Sequence, residues 1–188
     1  MSFDDIKNQP ALIITNGTFL FSEEERKHLI EGLNKQKIKL FLLEQRGIQN
    51  SIFSGIEIIL SNPLVNLLIG GILMPTIYDN LKNIIQITIN KVQEGKIWRV
   101  TSKESTIPNV TLKIQTKKGN IIASLDREIS DEELNSYIKA LVQAANSVDD
   151  NANYNFIYRV IEKNSDGSFL IITLNEYLKK HNKINGSL

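Results

Sequence analysis

The chain reads as an α+β protein in which a mixed β-sheet packs against a long, kinked apolar helix and two amphipathic helices. Three observations predict it. Short apolar or alternating runs, bounded by turn residues, recur along the 188 residues, which is the pattern of β-strands. Ser22 with Glu25 and Ser130 with Glu133 each open a segment with an apolar stripe, the signature of a capped amphipathic helix. Between these segments, an apolar run containing Gly70 and Gly71 lies between Pro63 and Pro75 and passes into a further helical stripe.

In chain order, residues 11–15 (ALIIT) form a short strand between Pro10 and the turn pair Asn16-Gly17. The Ser22–Glu25 box starts a helix whose first turn is acidic, as the helix dipole favours, and whose stripe is Leu29, Ile30 and Leu33. Residues 37–44 (KIKLFLLE) read as a second strand, and the intervening helix is long enough for the two strands to be parallel. Residues 45–55 are ambiguous, punctuated by Gly47, Asn50 and Gly55, and residues 56–60 read either as a strand or as the lead-in to the long helix.

Residues 64–74 (LVNLLIGGILM) raise the question of a membrane span. A spanning helix needs about 20 mainly apolar residues, and here Glu57, Ser61 and Asn62 on one side and Asp79, Asn80 and Lys82 on the other cut the run short. The segment is therefore expected to be a core helix. Ser61 or Asn62 can cap it, and Pro63 suits its first position. Pro75 predicts a kink or break near Met74. Beyond it Ile77, Tyr78, Leu81, Ile84, Ile85, Ile89 and Val92 share one face, and Gly95 supplies a stop.

Residues 97–101 (IWRVT) are expected to form a strand. Val110, Leu112 and Ile114 alternate with Thr111, Lys113 and Gln115, and Ile121, Ala123 and Leu125 follow the turn at 117–120, giving a hairpin with one buried face. The helix opened by Ser130 turns Leu134, Ile138, Leu141, Val142 and Ala145 inward. Residues 147–154 (SVDDNANY) read as a linker. Strands at 155–162 and 168–173 flank the turn at 164–167, and a short helix is expected at 175–181. This divides the chain into a main α+β domain, residues 1–147, and a C-terminal hairpin extension, residues 148–188, packed on the same domain.

The order of a kinked Gly-containing apolar helix, a strand, the hairpin TLKIQTKKGNIIASLD and the capped helix SDEELNSYIKALVQ resembles the effector-associated constant component family of bacterial conflict systems. The resemblance covers about residues 56–146 and rests on pattern. The C-terminal hairpin is not part of it. It implies a non-enzymatic accessory component working beside a defence or toxin effector.

Composition excludes several classes. Apolar residues at 41% and charged residues at 23% are the balance of a soluble globular chain. A net charge of +1 leaves no electrostatic footprint for nucleic acid. The absence of cysteine removes disulfides, thiolate metal sites and cysteine nucleophiles. The N-terminal sequence MSFDDIKNQP has no apolar signal region, so a cytoplasmic location is expected.

No catalytic, metal-ligating or cofactor-binding set emerges. His28 and His181 lack a second ligand at metal spacing and read as surface histidines. The acidic groups at 23–25 and 131–133 sit in first helical turns, where the dipole accounts for them, and those at 4–5 and 149–150 read as solvated. Ser54-Gly55 lacks a nucleophile elbow, and Gly70-Gly71 lacks the Lys and Ser or Thr of a phosphate loop.

The candidate partner-contact set is Lys113, Gln115, Lys117 and Lys118 on the hairpin, with Trp98. The competing reading makes the lysines guards of a solvated sheet edge and packs Trp98 on the sheet. The function expected is that of a protein-binding accessory or immunity-type component whose partner is an effector or a second copy. A membrane-surface or membrane-inserting effector using residues 63–75 is one alternative. An enzyme with an unrecognised site is another, and it predicts a polar pocket with converging carboxylates or histidine.

Overall fold

A computed structural model of the chain describes residues 8–44, 55–69, 74–95, 99–100, 105–106, 108–116, 119–126, 129–149 and 157–185. Strand β1 (Ala11–Thr15) is followed by the single-turn helix α1 (Gly17–Leu20), the capped helix α2 (Glu23–Asn34) and β2 (Lys39–Leu43). β3 (Gly55–Ser61) runs directly into α3 (Asn62–Ile69), and α4 (Met74–Gln93) comes next. A two-stranded ribbon, β4 (Arg99–Val100) and β5 (Ser105–Thr106), precedes the hairpin of β6 (Asn109–Gln115) and β7 (Gly119–Leu125). The chain continues through α5 (Asp131–Asp149), a second hairpin of β8 (Ile157–Lys163) and β9 (Phe169–Thr173), and α6 (Leu174–Asn185).

Seven strands form one mixed sheet in the order β2-β1-β3-β6-β7-β8-β9. The pairs β1/β2, β3/β6 and β7/β8 are parallel, and each is connected through helical chain, as a parallel pair requires. The pairs β6/β7 and β8/β9 are antiparallel hairpins. The C-terminal hairpin thus continues the main sheet.

One layer of helices covers one face. Leu12, Ile14, Ile58, Leu60, Leu112, Ile114, Ile121 and Ala123 alternate toward that face. They pack with Leu64 and Leu68 of α3, Ile77, Leu81, Ile84, Ile85, Ile89 and Val92 of α4, and Leu134, Ile138, Leu141 and Ala145 of α5 in one continuous core. Each such Leu or Ile removed from water contributes about 1.5–3 kcal/mol before ordering costs. Both stripes expected of α4 and α5 are the buried faces observed. In α2 the stripe is narrower, since Leu33 is buried but Ile30 is exposed.

The apolar unit, expected as one helix or a bent pair from about Pro63 to Glu94, is described as two helices, α3 and α4, and the expected kink or break near Met74 adjoins residues 70–73, which lie outside the described residues. Ser61 is the cap. Its Oγ accepts from the N–H of Leu64, while Pro75 occupies the first turn of α4, where a missing N–H costs nothing. Gly95 closes the helix at φ 72° with its N–H on the carbonyl of Val92, the stop its position predicts. Residues 56–60 are strand rather than helix lead-in, because β3 is paired on both sides, by β1 and β6. Gly55 is required there, since a Cβ would lie 2.1 Å from the carbonyl oxygen of Asn109 on β6. The expected linker begins later than residue 147, because α5 runs to Asp149.

Among the described residues no helix is long and apolar enough to cross a membrane. Leu64, Val65 and Leu68, the described heart of the apolar run, are buried against the sheet.

Candidate functional site

Of the expected partner-contact residues, Lys113 and Gln115 are described; Trp98, Lys117 and Lys118 lie outside the described residues. Lys113 is no edge guard. β6 lies between β3 and β7, and the Lys113 Nζ reaches Glu57 of β3 at 3.7 Å, with side chains 21% and 18% exposed. The solvated-edge reading of the hairpin fails for a topological reason: both of its strands are interior.

The sheet instead assembles something that no local stretch announces. On the face turned away from the main core, register sets Thr15 beside Glu57, Glu57 beside Thr111 and Thr111 beside Ser124. The pairing of Ala123 with Ile161 then puts Ser124 beside Glu162. The result is a polar row across five strands. Thr15 and Thr111 are fully buried, and Thr15 Oγ1 accepts from the N–H of Glu57 at 2.8 Å. Thr15 in ALIIT and Glu57 in GIEIILS stand out as polar residues inside apolar strands, whereas Thr111, Ser124 and Glu162 lie in strands with other polar residues and carry no such local signal.

The row ends in a cleft of about 330 Å³ at the C-terminal ends of β7 and β8, lined by Ser124, Asp126, Glu162, Tyr137 of α5, and Tyr177 and His181 of α6. A Thr173–Glu176 capping box that the sequence reading missed starts α6 and sets its direction. One turn on, Tyr177 and His181 stack with ring centres 4.0 Å apart. Lys180 Nζ lies 2.8 Å from Glu162 Oε2, and His181 Nε2 lies 3.9 Å from Glu162 Oε1. Lys163, on the cleft wall, is ion-paired with Glu133 of α5.

Burial, with the charge of Asp126 beside it, pushes the Tyr137 hydroxyl up to about 12, so it remains a neutral donor. Tyr177 is likewise raised, first by burial and then by the charge of Glu162. His181, expected to be a surface residue, is half-exposed at this wall. Glu162, Ser124 and Tyr177 were not singled out at all, because their proximity depends on strand order.

His181 Nδ1 lies 3.0 Å from the carbonyl oxygen of Tyr177, which can only accept, so Nδ1 carries a proton. No hydroxyl among the described residues is hydrogen-bonded to the imidazole, the contact that would activate a serine nucleophile. Nor do the described residues hold a group of three or more metal-ligating side chains. The cleft has the carboxylates and histidine that the enzyme alternative predicts.

The second exposed feature is the sheet edge at β9. Leu170 and Ile171 are 44% and 39% exposed, and Tyr158 on neighbouring β8 is also exposed. The opposite edge, β2, has an exposed lysine, Lys39, at its start. β9 (FLIIT) has no charge and no proline.

No protein-family model matches the chain, and neither the curated proteins nor the solved structures contain a match to it.

Proposed function

We propose that the protein acts by binding another polypeptide along the sheet edge at β9, which no other strand pairs among the described residues, with β9 accepting an extended segment as a further strand. The observation that carries this is the undefended edge. A strand edge presents a row of backbone donors and acceptors, and proteins that keep such an edge unpaired blunt it with lysine, proline or a bulge. Phe169–Thr173 has no lysine or proline and exposes Leu170 and Ile171. Strand addition supplies the backbone bonds, and side-chain pockets supply specificity. An accessory or immunity-type component of a bacterial conflict system needs a protein partner of this kind, and the resemblance over about residues 56–146 supports that role.

The test compares the wild-type chain with a Leu170→Lys/Ile171→Lys double variant, each purified from the native host. Wild type should hold a partner at defined stoichiometry, with the β9 amides protected from hydrogen exchange in the complex. The variant should keep its circular dichroism spectrum and lose the partner. A homodimer with protected β9 amides would make the added strand a second copy. Equal binding by the variant, or protection on another surface, would overturn the reading.

A further inference from the structure

We infer that the cleft between β8 and α6 is a binding site for a primary ammonium group, seated between His181 Nε2 and Glu162 Oε1. Because Nδ1 of His181 donates to the Tyr177 carbonyl, the neutral imidazole presents Nε2 as an acceptor. It faces a carboxylate oxygen, a second acceptor, at 3.9 Å, too far for a hydrogen bond between them. No donor among the described residues reaches Glu162 Oε1 within hydrogen-bond distance; Lys180 is on Oε2. Two acceptors at this spacing suit one nitrogen carrying two or more protons, placed about 2.9 Å from each.

The surroundings select a cation over a neutral donor. Asp126 adds a second carboxylate to the cleft, Lys163 is neutralised by Glu133, and Lys180 engages Glu162 through Oε2 alone, leaving Oε1 to the ligand. Glu162 is only 16% exposed, so a charge-assisted bond to it is weakly screened by water.

The site is independent of strand addition at β9, and it is tested on the purified full chain with three probes of one shape: butylamine, butanol and butyrate. Butylamine should shift the His181 ring nitrogen and the amide resonances of Ser124 and of Ser165, which lines the cleft from the β8–β9 turn, saturably, and the other two should not. Glu162→Gln should weaken butylamine roughly tenfold or more. Lys180→Ala, which releases Glu162 from its competing ammonium, should tighten it, an effect that mere loosening of α6 would reverse. Absence of saturable shifts with butylamine, equal shifts from all three probes, or weaker binding by Lys180→Ala would each overturn the proposal. A small amine and a partner's lysine share this group. Tighter binding by Nα-acetyl-lysine amide, whose side-chain ammonium is free, than by butylamine assigns the site to a lysine, and the reverse order assigns it to a free amine.

Discussion

Ser61 shows how much one buried hydroxyl can organise. Its Oγ donates to the carbonyl of Gln9 at 2.9 Å, accepts from the N–H of Ala11 at 2.8 Å, and caps α3 through Leu64. It therefore ties the start of β1 to the end of β3 and the first turn of a core helix. Ser61→Ala removes this bond from three backbone groups, the carbonyl of Gln9 and the N–H groups of Ala11 and Leu64, at about 1–3 kcal/mol for each buried group left unmet. A urea titration should show a lower midpoint with an unchanged slope. Glu25 carries a second, pH-dependent link. A hydrogen bond from Lys91 of α4, followed by the backbone N–H of Ser22, holds its carboxyl at about 2, below the ordinary carboxylate value of 4.5. A depressed pKa means that the folded state favours the charged form. The contribution is therefore complete above about pH 4.5 and fades as pH falls toward about 2. The side chain is 39% exposed, so water screens the pair and the effect is modest. Acid unfolding of Glu25→Gln should begin from lower stability at neutral pH and converge on wild type near the acid end. Curves that stay parallel would remove the link.

At the scale of elements, the helices were legible wherever a local rule is sufficient. The Ser22–Glu25 and Ser130–Glu133 boxes form as their spacing dictates, and the buried stripes of α4 and α5 follow the three-and-four repeat. The short helix after β9 was expected, but its Thr173–Glu176 box was overlooked because Thr173 also ends an apolar strand. That cap is what aims Tyr177 and His181 at the cleft. Thr173→Ala should speed hydrogen exchange in α6 by roughly fivefold, the value of one lost cap, and leave exchange in β3 and β6 unchanged. A global loss of protection would make α6 part of the central folding unit. In the sequence Gly55 marks only a break between elements, whereas its need is a close approach: its missing Cβ lets β3 lie against Asn109. Gly55→Ala should therefore separate the β3/β6 pairing at that end. A fold and stability indistinguishable from wild type would contradict the contact.

Over the whole molecule, stability should be graded along the sheet. β3 and β6 are flanked on both sides and lie under α3 and α4, while β9 is flanked on one side and α6 packs mainly on the last hairpin. Native-state hydrogen exchange should find the slowest amides in β3, β6 and β7 and the fastest in β9 and α6. Fast exchange in the centre would contradict the topology. The same gradient places both proposed surfaces, the β9 edge and the ammonium cleft, at the least stable end, where a ligand or partner has most to order.

The sequence by itself determined the class of the fold, the capped helices, both hairpins and the buried faces of α4 and α5. All of these depend on periodicity and on side-chain contacts a few residues apart. Only the tertiary structure decided that the β6–β7 hairpin is interior, that Lys113 pairs with Glu57, and that the free edge falls at β9. It alone joined Thr15, Glu57, Thr111, Ser124 and Glu162 into one row and carried His181 to its end. The physical reason is that strand order and register are set by how all the helices share one core. A polar residue in a strand has a face determined locally, but its neighbours across the sheet come from segments tens of residues away.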